Sequence, residues 1–208
     1  MNKIDAVIFD FGQVLGLEQD THRVEKMLNL TGLDKDEFFK RYREFRSDYD
    51  RGRIDGKEYW MRVITGSEGK KQNINGLAEE LIQEDMMSWL RPNRRVISWA
   101  EKLKSSGVKT GVLSNMPLEP GKYVYENFSW INLFDGVVFS CEVGFIKPEM
   151  EIYSFCINSL KVKPAYALLI DDDERNLKGA ERAGLKTFLF KPGATEPGEI
   201  AELFGLPH

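Results

Sequence analysis

An α/β fold built on an open parallel sheet is predicted for these 208 residues, with a helical block inserted after the first strand. Three observations carry this expectation. Apolar, β-branched runs end abruptly in polar residues: Ile8-Phe9 before Asp10, Val112-Leu113 before Ser114, and Leu168-Leu169-Ile170 before Asp171. Strands buried on both faces of a parallel sheet read as such continuous runs. After Pro92, helical patterns separate the runs, and repeated strand–helix units imply a Rossmann-like three-layer core with right-handed crossovers. Between Gly16 and Arg91, by contrast, charged, aromatic and methionine-bearing segments recur at helical spacing with few β-branched runs.

Taken in order, Ile4 to Phe9 reads as the first, central strand. Asp20-Thr21 caps a helix through Leu30, Asp34 starts another through about Asp48, and Asp55 a third through Ile64. Each aspartate can accept from free N–H groups of the first turn. Gly32, Gly52, Gly56 and the region from Gly66 to Gly69 punctuate these helices, and Ile74 to Trp89 reads as a fourth. A helix from about Asn93 to Ser105 precedes the strand Lys109 to Leu113, and Val137 to Ser140 is a short strand. Pro148 is expected to open a helix at its first turn, where a missing N–H is tolerated. Ala165 to Ile170 reads as a strand, Glu174 to Ala183 as a helix, and Lys186 to Phe190 as the last strand. The expected division is a core of residues 1–15 and 92–208 and a helical block of residues 16–91.

Composition bounds the function. A chain that is 42% hydrophobic can bury a real core. A formal charge of −4 argues against a general nucleic-acid binder, which would show a basic face. An anionic substrate would need local cations, either lysine or a metal. Cys141 and Cys156 are the only cysteines, and their spacing matches no zinc signature, so two reduced thiols in a cytoplasmic protein are expected. No stretch approaches the length of a membrane-spanning helix, and the N-terminus enters a strand without a signal peptide's apolar region.

Ligands of open α/β sheets sit at the carboxyl ends of the strands. Asp10, the Ser114-Asn115 pair, Lys147 and the Asp171-Asp172 pair are therefore expected to share one crevice, able to bind a divalent metal and a phosphate. Carboxylates brought together repel, which raises a pKa or demands a cation. Mg²⁺ suits a site that also holds phosphate oxygens. Plainer readings stand beside these. Asp172 to Glu174 can serve as helix-capping acids, Ser114 can simply end a strand, and Lys147 can be a solvated lysine. Neither of the last two explains the adjoining Asn115 or Pro148.

The order and spacing of Asp10, Ser114, Lys147-Pro148-Glu149 and Asp171-Asp172 resemble the haloacid dehalogenase-like hydrolase superfamily over nearly the whole chain. The Lys-Pro-Glu, the Asp-Asp and the segment from Asn176 to Ala180 are similar to those of sugar-1-phosphate phosphatases and of the phosphatase domain of soluble epoxide hydrolase. The resemblance implies that the helical block is a cap. It implies Asp10 as nucleophile, forming an aspartyl-phosphate, and Lys147 as the positive charge. Ser114 and Asn115, the latter through its backbone N–H, would bind phosphate. The metal would take Asp10, the Gly12 carbonyl, Asp172 directly and Asp171 through water. A cis Lys147–Pro148 bond would be one way to aim the lysine inward.

One position departs from the pattern. Most phosphatases of this family carry a second aspartate two residues after the nucleophile, which protonates the leaving group; here that residue is Gly12. Losing a side-chain acid–base costs about 10²–10⁴-fold in rate, or roughly 3–5 kcal/mol of barrier. A sugar-1-phosphate, acyl or aryl phosphate, with a better leaving group, would suffer less than an ordinary alkyl phosphate. Gln13 can position water or the leaving oxygen, but a turn residue is the expected role. The reading is a Mg²⁺-dependent phosphatase acting on a small phosphorylated metabolite, with a sugar phosphate as expected substrate. The alternatives are a catalytically weak phosphate- or partner-binding protein, a 2-haloacid dehalogenase, or a mutase-like transferase. His22 and His208 are the only histidines, which disfavours a Ser-His-Asp device. The aromatic and basic stretch from Phe38 to Tyr49 could line the substrate mouth, but at helical spacing its aromatics are expected to form the block's own core, with Lys40, Arg41 and Arg43 as a solvated face.

Overall fold

The apolar runs pair into one five-stranded, all-parallel sheet in the order β3-β2-β1-β4-β5. The strands are β1 (Ala6–Phe9), β2 (Lys109–Ser114), β3 (Gly136–Phe139), β4 (Ala167–Asp171) and β5 (Lys186–Leu189). The computed structural model describes residues 3–66 and 75–208. Met1, Asn2, Gly69 and Ile74, which entered the sequence reading, lie outside that range.

Central β1 shows why the runs are continuous. Successive side chains point to opposite faces of a strand. Val7 and Phe9 accordingly pack with α6 (Arg94–Ser105) and the C-terminal α11 (Pro197–Phe204), whereas Ala6 and Ile8 pack with α9 (Met150–Leu160) and α10 (Glu174–Arg182). Both faces are covered, so a polar residue is excluded until the strand ends. Phe9 stands level with Val112 of β2 and Ile170 of β4. Asp10, Ser114 and Asp171 therefore emerge at the same edge of the sheet.

Between β1 and β2 the chain forms α1 (Thr21–Thr31), α2 (Lys35–Glu44), α3 (Arg46–Asp50), α4 (Gly56–Thr65) and α5 (Asn75–Trp89). Asp20, Asp34 and Asp55 accept from the backbone N–H groups of His22, Glu37 and Glu58, at 3.0, 3.0 and 2.8 Å, as their positions predicted. These helices bury a core of their own, including Met27, Phe38, Tyr42, Tyr59, Trp60 and Leu81, separate from the two clusters on the sheet. The chain leaves and re-enters the sheet layer at one seam. Gly16 bridges Pro92, and Leu17 N–H donates to the Arg91 carbonyl at 2.7 Å.

Several boundaries differ from the sequence reading. The second predicted helix divides at Phe45, whose N–H closes α2 onto the Arg41 carbonyl. Pro148 does not open a helix: Glu149 is extended (φ −69°, ψ 143°), and α9 starts only at Met150. β3 stops at Phe139, and Ser140 begins a short helix, α8 (Ser140–Val143). α7 (Leu118–Asn127) and α11 were not anticipated. No helix among the described residues is long and apolar enough to cross a membrane.

Candidate active site

β1 ends at Phe9, and Asp10 follows in an extended conformation, its N–H donating to the Ile170 carbonyl at 2.9 Å. The chain then makes one wide turn over Phe11–Leu15, closed by the Gly16 N–H on the Phe11 carbonyl at 2.7 Å, with Gly12 and Gln13 outside helical dihedrals. The Phe11 N–H donates to Asp10 Oδ1 at 2.7 Å, which fixes that carboxyl at the sheet edge.

Lys147 completes the centre. Its Nζ lies 2.8 Å from Asp10 Oδ1 and 2.6 Å from Asp171 Oδ2, and the residue is only 3% exposed. Such a burial is tolerable only because the ammonium is held between two carboxylates. Asn115 holds Lys147 at its backbone rather than its side chain. Its Oδ1 accepts the Lys147 N–H at 2.7 Å, and its Nδ2 donates to the Lys147 carbonyl at 3.1 Å. The Lys147–Pro148 peptide is cis.

Asp171 is saturated. Besides Lys147 it accepts from the Asp173 N–H at 2.9 Å and from Asn176 Nδ2 at 3.0 and 3.2 Å. Asp172 stands at the start of α10, where Asp173 supplies the cap, and it accepts a hydrogen bond from Gln13 Nε2. Asp10, Asp171 and Asp172 each present an oxygen, all within 4.8 Å of one another.

Electrostatics follow from that crowding. Burial pushes the Asp10 carboxyl above the usual range, Lys147 opposes the shift, and Asp171 adds to it. Burial would depress the Lys147 ammonium, but Asp10 and Asp171 more than offset this and raise it. Asp172 is raised by burial and by Asp171. Three carboxylates against one ammonium leave the cluster net negative, and its donors are all oxygens. That donor set fits a hard divalent cation.

The centre opens into a cavity of about 270 Å³. Asp10, Gly12, Ser114, Asn115, Lys147 and Asp172 form its floor, and Tyr42, Arg46, Asp85 and Trp89 of the helical block form its roof. Ser114 is 3% exposed, and its hydroxyl takes no partner among the described residues. In the roof, Tyr42 donates to Asp85 Oδ1 at 2.5 Å, while Arg46 reaches Asp85 Oδ2 at 2.9 Å and Asp50 Oδ1 at 2.8 Å.

Asp10, Gly12, Ser114, Asn115, Lys147, Asp171 and Asp172 thus meet at one place. Sequence reasoning missed Asn176 as a holder of Asp171, the amide clamp of Asn115 on Lys147, and Asp85 and Trp89 in the roof; Tyr42 and Arg46 belong to the stretch whose expected role was chiefly the block's own core, and they line the cavity as well. Asn176 had a signal, standing within the segment that extends the Asp171-Asp172 fragment. Tyr42 and Arg46 had none that distinguished them from their aromatic and basic neighbours.

Comparison with known proteins bears on the family and the fold. The family model for haloacid dehalogenase-like hydrolases matches residues 4–184. Mouse bifunctional epoxide hydrolase 2 is 33% identical over 117 residues, 54% of this chain, which spans only 21% of that longer relative. A phosphatase of Mycobacterium tuberculosis, MT3486, is 25% identical over 206 residues, 98% of this chain and 95% of its own. Among solved structures, the haloacid dehalogenase-like enzyme BT-2542 of Bacteroides thetaiotaomicron, crystallised with magnesium and inorganic phosphate, superposes with a TM-score of 0.76. It is 22% identical, over 94% of this chain and 98% of its own. At that identity the likeness is one of fold.

Proposed function

Because the chain belongs to the haloacid dehalogenase-like hydrolase family, we propose that it hydrolyses small-molecule phosphomonoesters with Mg²⁺, using Asp10 as nucleophile. The observation that carries this reading is the meeting of Asp10, Asp171 and Asp172 around the Lys147 ammonium.

Asp10 Oδ1 is held by Lys147 and the Phe11 N–H, and the remaining oxygen attacks phosphorus. A bond forms between that oxygen and phosphorus while the ester P–O bond breaks, and the leaving oxygen departs with its electron pair and takes a proton from solvent water, since Gly12 offers none. Water then attacks the phosphorus of the aspartyl-phosphate and gives its proton to solvent, the bond from Asp10 to phosphorus breaks, and inorganic phosphate leaves with Asp10 regenerated. Splitting one displacement into two is the gain of covalent catalysis. The Lys147 ammonium, the Ser114 hydroxyl and the Asn115 N–H bind the phosphoryl oxygens and offset their charge. Asp172, with Asp10 and the Gly12 carbonyl, would hold Mg²⁺ directly. Asp171, whose two oxygens are already engaged, would hold it through water. Once bound, the ion neutralises charge on the carboxylates and the phosphate.

Helices α1–α5 act as a cap that excludes water from this chemistry. The cavity lies at the small end of ligand sites. Its roof offers the polar groups of Tyr42, Arg46 and Asp85 beside the Trp89 ring, which suits a hydroxylated leaving group such as a sugar, encountered in the cytoplasm. The three-acid cluster disfavours metal-free dehalogenation.

A screen of phosphorylated metabolites with Mg²⁺ tests the reading, with Asp10→Asn as the blank. Release of phosphate that equals the blank for every compound would refute it. Gly12 favours one second reading, a phosphate-binding protein with little turnover. Tight binding of beryllium fluoride with Mg²⁺, without hydrolysis of any ester, would establish that instead.

A further inference from the structure

Gln13 carries a backbone conformation that its side chain must justify. Its φ is 57° and its ψ 0°, in the left-handed region where glycine is at ease and other residues are strained. Lys161 is the other non-glycine residue with positive φ among those described, and it terminates α9, a usual place for such a residue. Gln13 sits instead in the turn that follows Asp10. The neighbouring Gly12 is ordinary by comparison, with φ −61° and ψ 131°, although glycine is the residue suited to the strained position.

What the strained residue delivers is an amide. Gln13 Nε2 donates to Asp172 Oδ2 across 159 residues of sequence. Each acid of the cluster is oriented by its own donors: Asp10 by Phe11 N–H and Lys147, Asp171 by Lys147, Asp173 N–H and Asn176. For Asp172, that task falls to Gln13. An amide neither gives nor takes a proton in this chemistry, so Gln13 does not replace the acid–base group absent at Gly12.

We propose that Gln13 is a positioning residue that orients Asp172 as a metal ligand, the left-handed turn after Asp10 aiming its amide there. The inference rests on the metal site described under the proposed function. Partners that orient a ligand change metal affinity by about 10–100-fold when removed. Glycine at position 13 would relieve the backbone and lose the amide. Asparagine tolerates the same conformation but is one methylene too short to reach.

The test titrates Mn²⁺, a stand-in for Mg²⁺ read by electron paramagnetic resonance or calorimetry, into the full chain and its Gln13→Gly, Gln13→Asn and Asp172→Asn variants. The expected result is a metal-free Gln13→Gly protein that melts no lower than the parent, yet binds Mn²⁺ about 10–100-fold more weakly. Gln13→Asn should show the same loss, and saturating Mg²⁺ should restore phosphatase turnover in both. Mn²⁺ affinity within about twofold of the parent in both variants would overturn the inference, since a merely structural turn residue predicts that outcome. Turnover that stays low at saturating Mg²⁺ would also overturn it, placing Gln13 with the substrate instead. If the parent and Asp172→Asn bind Mn²⁺ alike, the metal reading itself fails, whatever Gln13 does.

Discussion

Arg51 reaches from the end of α3 to Glu149 on the core, making two parallel hydrogen bonds of 2.5 and 2.7 Å. Glu149 stands two residues beyond Lys147 and also accepts from the Ile146 N–H at 3.0 Å. The helical block is thereby tied to the loop that carries the buried ammonium. Beside this fork, Ser140 Oγ donates to the Asp50 carbonyl, and Gly52 (φ 69°) packs so closely that a Cβ would lie 2.9 Å from the Cys141 carbonyl oxygen. Arg51→Ala should cost about 1–2 kcal/mol in stability and lower kcat/KM about tenfold. Urea unfolding and steady-state kinetics check both. Unchanged kcat/KM would mean that the fork does not position Lys147.

Removing the ammonium should be more damaging. Lys147→Ala leaves Asp10 and Asp171 buried without their shared counter-charge, a loss expected to reach about 3–5 kcal/mol. With the cation gone, burial and the neighbouring Asp171 act unopposed on the Asp10 carboxyl and favour its protonation, so this variant should gain melting temperature as the pH is lowered from 8 toward about 5. Differential scanning calorimetry across that range would show it. A variant as stable as the parent at pH 8 would contradict the pairing.

Asp50 supplies a second pH dependence, away from the acidic cluster. Burial pushes its carboxyl up to about 6; Arg46 opposes the rise and Asp85 adds to it. The folded protein then holds this proton more tightly than the unfolded chain does. The associated stability is whole below about pH 4 and is lost as the pH rises through about 6. Asp50→Asn should therefore flatten the decline between those limits. Urea midpoints measured from pH 4 to pH 7.5 test this, and parallel curves for parent and variant would refute it.

Gly12 is not imposed by the backbone. Its dihedrals suit any residue, and an added Cβ would meet only Asp10 Oδ2, at an ordinary 3.9 Å. The parent should show turnover that falls steeply as the leaving group becomes more basic. Gly12→Asp should flatten that dependence and raise the hydrolysis of simple alkyl phosphates by about 10²-fold, the low end of general-acid catalysis. A series of phosphate esters with graded leaving groups decides the matter. Equal slopes in both proteins would show that proton delivery does not limit the parent.

Chelation offers a direct check on the metal. EDTA should abolish turnover, and Mg²⁺ at about 100 times its dissociation constant should add about 2.7 kcal/mol to stability. A thermal-shift titration reads the second effect, and an Asp172→Asn protein should show little of it.

What the sequence disclosed and what it withheld have a common physical cause. Asp10, Ser114 and Asp171 were readable because each doubly buried strand closes on an apolar run, so the polar residue that ends the run marks the sheet's edge. The caps at Asp20, Asp34 and Asp55 were readable because they act within three residues of themselves. The grip of Asn115 on Lys147 spans 32 residues, and that of Arg51 on Glu149 spans 98. No local pattern announces such pairings, because the folded topology alone brings the partners together. Gln13 was read as a turn residue, which it is. Its amide's destination could not be read, because a left-handed conformation leaves no mark on the residue types around it. The expectation that Pro148 opens a helix failed through a local rule applied two residues too early, since Glu149 stays extended and Met150 begins the helix.

The seam at Gly16 and Pro92 has a consequence for engineering and for descent. A module whose entrance and exit lie side by side can be exchanged whole, because the chain leaves and re-enters the sheet layer at one seam. Transplanting a relative's stretch between those two residues should carry over its substrate preference while the donor groups on the floor stay in register, provided the graft keeps an arginine able to meet Glu149.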